Sequence, residues 1–363
     1  MQTLPAAALE RLAFSTMAAL GSSDEEAGIV ARHLVLANLS GHDSHGVGML
    51  PDYVRLAKDG LLVPNQTLQT LVDAGALLLF DAGRGAGQRM VREATAAAID
   101  RARAMGSCVF GVRNASHIGR VGDYAEQCAA AGMTGIYFVN VADHVAFQAP
   151  YGCSDARLGT NPFAAAIPGA GGAGTDGPAA LLDMATSAIA FGKARVARNK
   201  GVPVPPESVI DEAGRVTTDP TALVDEKKGA LKAFGQHKGS GLAIFCELLG
   251  AALTGGQTIQ PGNTIKGGIL NSVLGIVIDT ARMGDPAAIG REVEAVKDWI
   301  KASKPAPGID KVRIPGEPER EHRAARATGI PLDSKSLDDI LAAAASAGVA
   351  ESVLAELRGA AGR

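Results

Sequence analysis

Apolar residues recur at helical spacing near both ends of the chain, and short strand-like apolar runs lie between them. The spacing predicts a helix over 5–20, closed by Gly21, and a second reaching to about Leu39, where Ile29, Val30, His33, Leu34 and Ala37 share one face. Ser23-Asp24-Glu25-Glu26 reads as a capping box opening that second helix, with Ser23 as N-cap. His33 on the apolar face reads as a packed core histidine. Apolar runs at 77–80, 108–112, 134–141, 163–167, 179–183 and 274–278 predict strands. Further helices are expected over 90–105, 120–131, 242–253, 288–302 and 336–357. Glycine and proline punctuate Gly41 to Tyr53, which is expected to be a loop. A glycine-rich surface hairpin is expected over 169–177, with turns at 211–215 and 315–319.

A length of 363 residues, 47% of them hydrophobic and 20% charged, suggests a globular protein of two or three domains. With 35 basic against 38 acidic residues, the net charge of -3 gives no reason to expect a nucleic-acid or anionic-membrane partner. No uncharged apolar run of about 18 residues predicts a membrane span. The first twenty residues carry Glu10 and Arg11 and lack a basic segment before an apolar core, so no signal peptide is read and a cytoplasmic location is expected. Cys108, Cys128, Cys153 and Cys246 are widely spaced, which favours free thiols over a disulfide framework or a structural zinc site, and no metal is expected.

The chemistry concentrates in a few polar stretches. Gly41 to Tyr53 holds His42, His45, Asp43, Asp52, Ser44 and the Tyr53 phenol. His45 is the first candidate for acid/base work, because an imidazole changes charge near neutral pH. Ser44 and His45 are chain neighbours, so an extended backbone would point them apart and their cooperation requires a bent loop. His117 and Arg120 fall between a strand end and a helix start, where free backbone N–H groups gather. Asp183 ends an apolar strand and needs a partner. His237 and Lys238 stand among glycines before an apolar helix, a setting suited to an anion or cofactor. The turn Asp81 to Gly87 invites a dinucleotide reading, but Gln88 occupies the sixth position of the fingerprint, so a conventional Rossmann site is not supported.

Together DSHG (43–46), SHIGR (116–120), LGTNPF (158–163), LDMATSAIAFGK (182–193), HKGSGLA (237–243) and PGE (315–317) span nearly the whole chain. In these stretches it resembles the malate/L-lactate dehydrogenase family of non-Rossmann oxidoreductases, most closely its hydroxycarboxylate dehydrogenase B branch. The resemblance implies an α/β fold: a mixed-sheet NAD(P)-binding domain over 76–304, and a discontinuous, mainly helical second domain from 1–75 and 305–363. It implies NAD or NADP as cofactor, a small 2-oxo or 2-hydroxy acid as substrate, and a homodimer. His45 takes the place of the family's catalytic histidine, with Ser44 and Asp183 as relay partners and His117 as a second acid/base. Cofactor contacts are implied at His45, Gly119, Arg120, Val121, Leu181, Leu182, Asp183, Met184, Ala185, His237, Asn271, Gly316, Glu317, Pro318 and Glu319. Substrate contacts are implied at Met49, Tyr53, Arg120, Thr160 and Asn161. Many relatives carry arginine where this chain has Met49, so Arg120 becomes the expected carboxylate clamp. The branch resemblance implies phenylpyruvate-type acids or 2-oxoglutarate as substrates, with malate/lactate, ureidoglycolate or cyclic-imine chemistry as alternatives within the family. A serine hydrolase built on Ser44, a histidine and Asp183 lacks the G-x-S-x-G turn. A non-catalytic binding protein is the remaining alternative.

Overall fold

The computed structural model describes residues 2–169, 177–226 and 228–362, with the side chains of Asn199 and Lys200 set aside. The expected hairpin over 169–177 therefore lies mostly outside the described residues. The chain opens with β1 (Gln2–Leu4), α1 (Ala6–Ala19), α2 (Asp24–Leu39) and α3 (Leu50–Lys58). It continues with β2 (Gln69–Ala74), β3 (Leu77–Asp81), α4 (Gly87–Met105), β4 (Ser107–Ser116), α5 (Gly122–Ala130) and β5 (Met133–Ala142). Next come β6 (Gln148–Ala149), β7 (Phe163–Ile167), β8 (Ala180–Met184), α6 (Phe191–Lys200), β9 (Val209–Ile210) and β10 (Val216–Thr217). After α7 (Thr221–Val224), β11 (Ala230–Lys232) and α8 (His237–Glu247), the strand β12 (Leu270–Asp279) leads to α9 (Pro286–Lys301). The C-terminal part is α10 (Glu317–Ala325), β13 (Ile330–Leu332), α11 (Ser334–Ala347) and α12 (Glu351–Ala360).

Two hydrophobic cores organise these elements. One joins the two ends of the chain: Leu9, Leu12, Leu34 and Leu50 pack with Ile340, Leu341, Leu354 and Leu357. The antiparallel pair β1–β13 clasps the termini beside it, Leu4 opposite Ile330. The other core lies between α4, α5 and a seven-stranded sheet ordered β2-β3-β4-β12-β5-β7-β8. Within that sheet only β3 and β4 run parallel, and the other neighbours are antiparallel. This is a mixed sheet with discontinuous helical regions, not a doubly wound parallel one. A small sheet, β10-β9-β11-β6, packs Val209 and Leu231 against Ala194 of α6.

Local chemistry explains where the observed elements depart from expectation. Ser23 caps α2 by accepting from the Glu26 N–H at 3.3 Å, but the reciprocal half of the box is not made. The fully buried Glu26 carboxylate instead accepts from Ser22, from the Asn65 N–H and from Arg89, tying α2 to α4. Tyr53 is helical because Pro51 sits in the first turn of α3, where its missing N–H costs nothing. α8 starts at His237, earlier than the expected 242, because Gly239 lies where a Cβ would fall 2.0 Å from the Phe234 carbonyl. β2 was not predicted, since its residues are mostly exposed and give no alternation. Nor was α6, which buries only the small Ala194 among its central residues.

Candidate active site

The DSHG stretch is held by the helical part of the molecule. Asn38, fully buried at the end of α2, accepts from the Val47 N–H at 2.8 Å and donates to Asp43 Oδ1 at 2.7 Å. Arg326 donates to both Asp43 oxygens at 2.7 and 3.0 Å. A side chain at Gly46 would collide with Asn38 at 2.1 Å, so glycine permits this contact. The result is a 3₁₀ turn over Asp43–His45, the bend that chain neighbours need in order to cooperate. Ser44 Oγ and His45 Nδ1 lie 2.9 Å apart.

His117 arrives from the sheet. Beyond the end of β4, the Ile118 N–H donates to Asn271 Oδ1 at 3.0 Å and the Arg120 N–H donates to His33 Nε2 at 2.8 Å. His33 is thus the packed core histidine expected, and it also fixes the SHIGR backbone. Gly119, with φ +71°, is required here because a Cβ would meet His33 Nε2 at 2.4 Å. The His117 ring stacks on His45 with centroids 5.5 Å apart and planes at 21°. On its other side, His117 Nδ1 meets the Tyr53 hydroxyl at 2.8 Å. The two imidazoles therefore face each other across the seam between the helical part and the sheet.

Burial, then the neighbouring His42, holds the His45 imidazole down at about 4, with Asp183 opposing them. His117 lies well below its ordinary value, first through burial and then through His45 and His33. An imidazole whose folded value is depressed stabilises the fold above its unfolded value and loses that contribution as pH falls through the folded one. The unfolding midpoint of the free protein is therefore expected to drop as pH falls from 6.5 towards about 4, and His45→Ala should flatten the drop. Urea titrations across that window check this; an equal slope in both proteins would contradict it.

Asp183 finds the partner it needs in Arg120, Oδ2 to Nη1 at 3.4 Å. It does not pair with His45, as a relay would require, but its charge still acts on that ring. This also removes the hydrolase constellation: Ser44 and His45 meet, while the third member is held by an arginine. Arg120 is only 2% exposed and also pairs with Glu126, whose carboxylate Arg323 holds at 2.7 and 3.0 Å. The expected substrate clamp is thus engaged inside the protein.

Other expected site residues are placed differently from one another. Tyr53 is buried against the helical core and reaches His117, which makes it a support for that ring. Met49 is half-buried at the edge of the same core. Asn161 is fully buried and donates to the Ala243 carbonyl and to Glu247, while the Thr160 carbonyl accepts from Thr186. These contacts turn the Asn161 amide inward, unlike the substrate contact expected of it, while Thr160 is half-buried with only its backbone carbonyl engaged. Asn271 likewise supports Ile118 and donates to the Asn140 carbonyl. His237 is exposed and lies against Tyr151, apart from the histidine pair.

Several of the segments expected to hold a cofactor, around Arg120, Leu181 to Ala185 and Gly316, meet at β8, the edge strand of the large sheet. There Leu182 is exposed, and the buried Leu181 donates its N–H to the Pro315 carbonyl at 2.9 Å. Val121, Met184 and Ala185 lie along the same region, buried or half-buried. Gly316 adopts φ +94°, which favours glycine, and a Cβ there would lie 3.0 Å from that of Leu181; Glu317 and Pro318 begin α10 beside it. Glu319 bonds His42 at 3.1 Å through one oxygen, while its other oxygen is buried without a partner. Arg120 Nε and Ser116 Oγ are orphaned in the same way. Buried polar atoms are normally paired, so Glu319 Oε2 and Arg120 Nε fit a donor and an acceptor of a nucleotide, whereas Ser116 lies on β4, away from β8.

Residues that sequence reasoning did not reach include Gln88, which donates to the Tyr53 hydroxyl, and the ring run His144, Phe147 and Phe191. Neither has a local signal, because both matter only through contacts made far along the chain. Among the described residues no group of three or more His, Cys, Asp or Glu is placed to hold a metal, and no helix is long and apolar enough to cross a membrane.

Comparison with known proteins places the chain in a family. Hydroxycarboxylate dehydrogenase B of Escherichia coli (strain K12) is 44% identical over 338 residues, 92% of this chain and 91% of that one. An L-lactate dehydrogenase of Cupriavidus necator is 41% identical over 296 residues, 81% and 83% of the two chains. A chain from E. coli, solved as a candidate malate/lactate dehydrogenase, superposes over the full length of both chains with a TM-score of 0.93 at 40% identity. Residues 4–341 match the family described as malate/L-lactate dehydrogenase. The protein belongs to the malate/L-lactate dehydrogenase family, close to hydroxycarboxylate dehydrogenase B, and is an oxidoreductase.

Proposed function

We propose that this enzyme reversibly reduces 2-oxo acids to 2-hydroxy acids by hydride transfer from NADH or NADPH, with His45 as proton donor. The observation that carries the reading is the stacked His45–His117 pair, with Ser44 on one ring and Tyr53 on the other. Arg120, Glu319 and the edge strand β8 would hold the nucleotide, which when bound supplies the hydride.

Hydride arriving at the 2-carbon leaves negative charge on its oxygen, and a proton must reach that oxygen in the same event. With the Ser44 hydroxyl donating to Nδ1, the His45 proton sits on Nε2. In the free protein the ring is neutral near pH 7, its value standing at about 4. The substrate carboxylate adds negative charge beside Asp183, which favours the imidazolium once the acid is bound. His117 is the neutral hydrogen-bond donor that polarises the carbonyl. In the oxidative direction His45 takes the proton from the hydroxyl.

Half-buried Met49 and the Phe147–Phe191 contact, with ring centroids 4.5 Å apart, support a bulky apolar or aromatic substituent on the substrate. The ring run reaches the site through Gly192, where a Cβ would lie 3.1 Å from that of Ser44. Phenylpyruvate is expected to exceed oxaloacetate in kcat/KM by about ten- to two-hundredfold. A side-by-side assay with NADH and with NADPH tests this and also settles the nucleotide; a preference for oxaloacetate would contradict it.

A further inference from the structure

The glycine-rich turn before α4 was set aside because Gln88 breaks the dinucleotide fingerprint. The geometry points to a different task for it: Gln88 is a positioning residue that fixes which nitrogen of His117 carries the proton. This rests on the reading of His117 as a hydrogen-bond donor to the substrate.

The turn is stitched to the end of β4, the Arg84 N–H donating to the Asn114 carbonyl at 2.7 Å and the Ser116 N–H to the Gly85 carbonyl at 3.1 Å. Gly87 then approaches so closely that a Cβ would fall 2.1 Å from the Ser116 carbonyl and 2.6 Å from that of His117. Glycine here serves the contact of one backbone with another, which brings the first turn of α4 against the catalytic segment. The next residue, Gln88, is 1% exposed and donates from Nε2 to the Tyr53 hydroxyl oxygen. Tyr53, also 1% exposed, has a single proton. Receiving from Gln88, it donates that proton to His117 Nδ1 at 2.8 Å. An imidazole that accepts at Nδ1 carries its hydrogen on Nε2 when neutral. Three side chains from α4, α3 and the strand end thus set one tautomer, with Nε2–H left over for a substrate oxygen.

Two-bond proton–nitrogen spectra of histidine-labelled protein read the tautomer directly, the His117 signal being the one absent from His117→Asn. The wild type is expected to carry the hydrogen on Nε2. Gln88→Glu, as a carboxylate, can only accept, so Tyr53 must turn its proton towards residue 88 and His117 should switch to Nδ1–H. Gln88→Met removes the donor without adding charge and should give a mixture of both forms. In both variants kcat should fall about tenfold or more while the KM for the nucleotide stays unchanged. If Gln88→Glu fails to fold, Gln88→Met carries the test alone. A wild-type Nδ1–H, or Nε2–H in every folded variant, overturns the role of Gln88. A tautomer that switches with turnover unchanged upholds the orienting role of Gln88 and overturns instead the role given to His117.

Discussion

His45→Ala is expected to lower kcat for 2-oxo acid reduction by about a hundredfold or more, because the proposed mechanism draws the proton from His45 and keeps His117, stacked on it, as a neutral hydrogen-bond donor. His117 holds its ring against Tyr53, lies well below its ordinary value, and is assigned to donate a hydrogen bond without transferring its proton. Nucleotide affinity, read by fluorescence titration, should change little in His45→Ala. If His117→Ala abolishes turnover and His45→Ala barely matters, the two roles are exchanged.

The second large effect is on stability. Arg120→Met removes the cation between Asp183 and Glu126. Glu126 keeps Arg323, but Asp183, with its side chain 6% exposed, loses the ion pair that matches its charge. Removing one partner of a buried ion pair costs about 3–5 kcal/mol, and a loss of that size is expected in denaturant unfolding. Adding Asp183→Asn to Arg120→Met should restore part of it, since the stranded charge is then gone. A single variant as stable as the wild type would mean that solvent reaches Asp183 freely. Arg120→Lys keeps the charge but not the planar fork that meets two carboxylates, so it should fall between the two.

Much of this architecture was legible in the chain. The strands at 163–167 and around 179–183, and the opening of α2 at Ser23, follow from apolar runs and a side-chain cap. The histidines were legible as chemistry, and the need for a bent loop at Ser44 and His45 followed from their adjacency. What was not legible depends on partners distant in sequence. Arg120 reads as an exposed clamp at a helix start until Glu126, Arg323 and Asp183 surround it. Asn161 and Asn271 read as ligand contacts until Glu247 and the Ile118 N–H claim them. Gln88 reads as a flaw in a glycine motif until Tyr53 lies against it. In each case a polar side chain was visible and its direction was not, because tertiary packing decides which way a buried amide or guanidinium is satisfied.

The central claim is a hydride delivered to the 2-carbon of an oxo acid with a proton from the protein. Nicotinamide nucleotide carrying deuterium at the transferable position, mixed with phenylpyruvate and this enzyme, tests it most directly. Phenyllactate with one deuterium on carbon 2 is expected, formed in step with the loss of reduced-nicotinamide absorbance and far more slowly by His45→Ala. A product without deuterium on that carbon, or no oxidation of either nucleotide across a panel of 2-oxo acids, would contradict it.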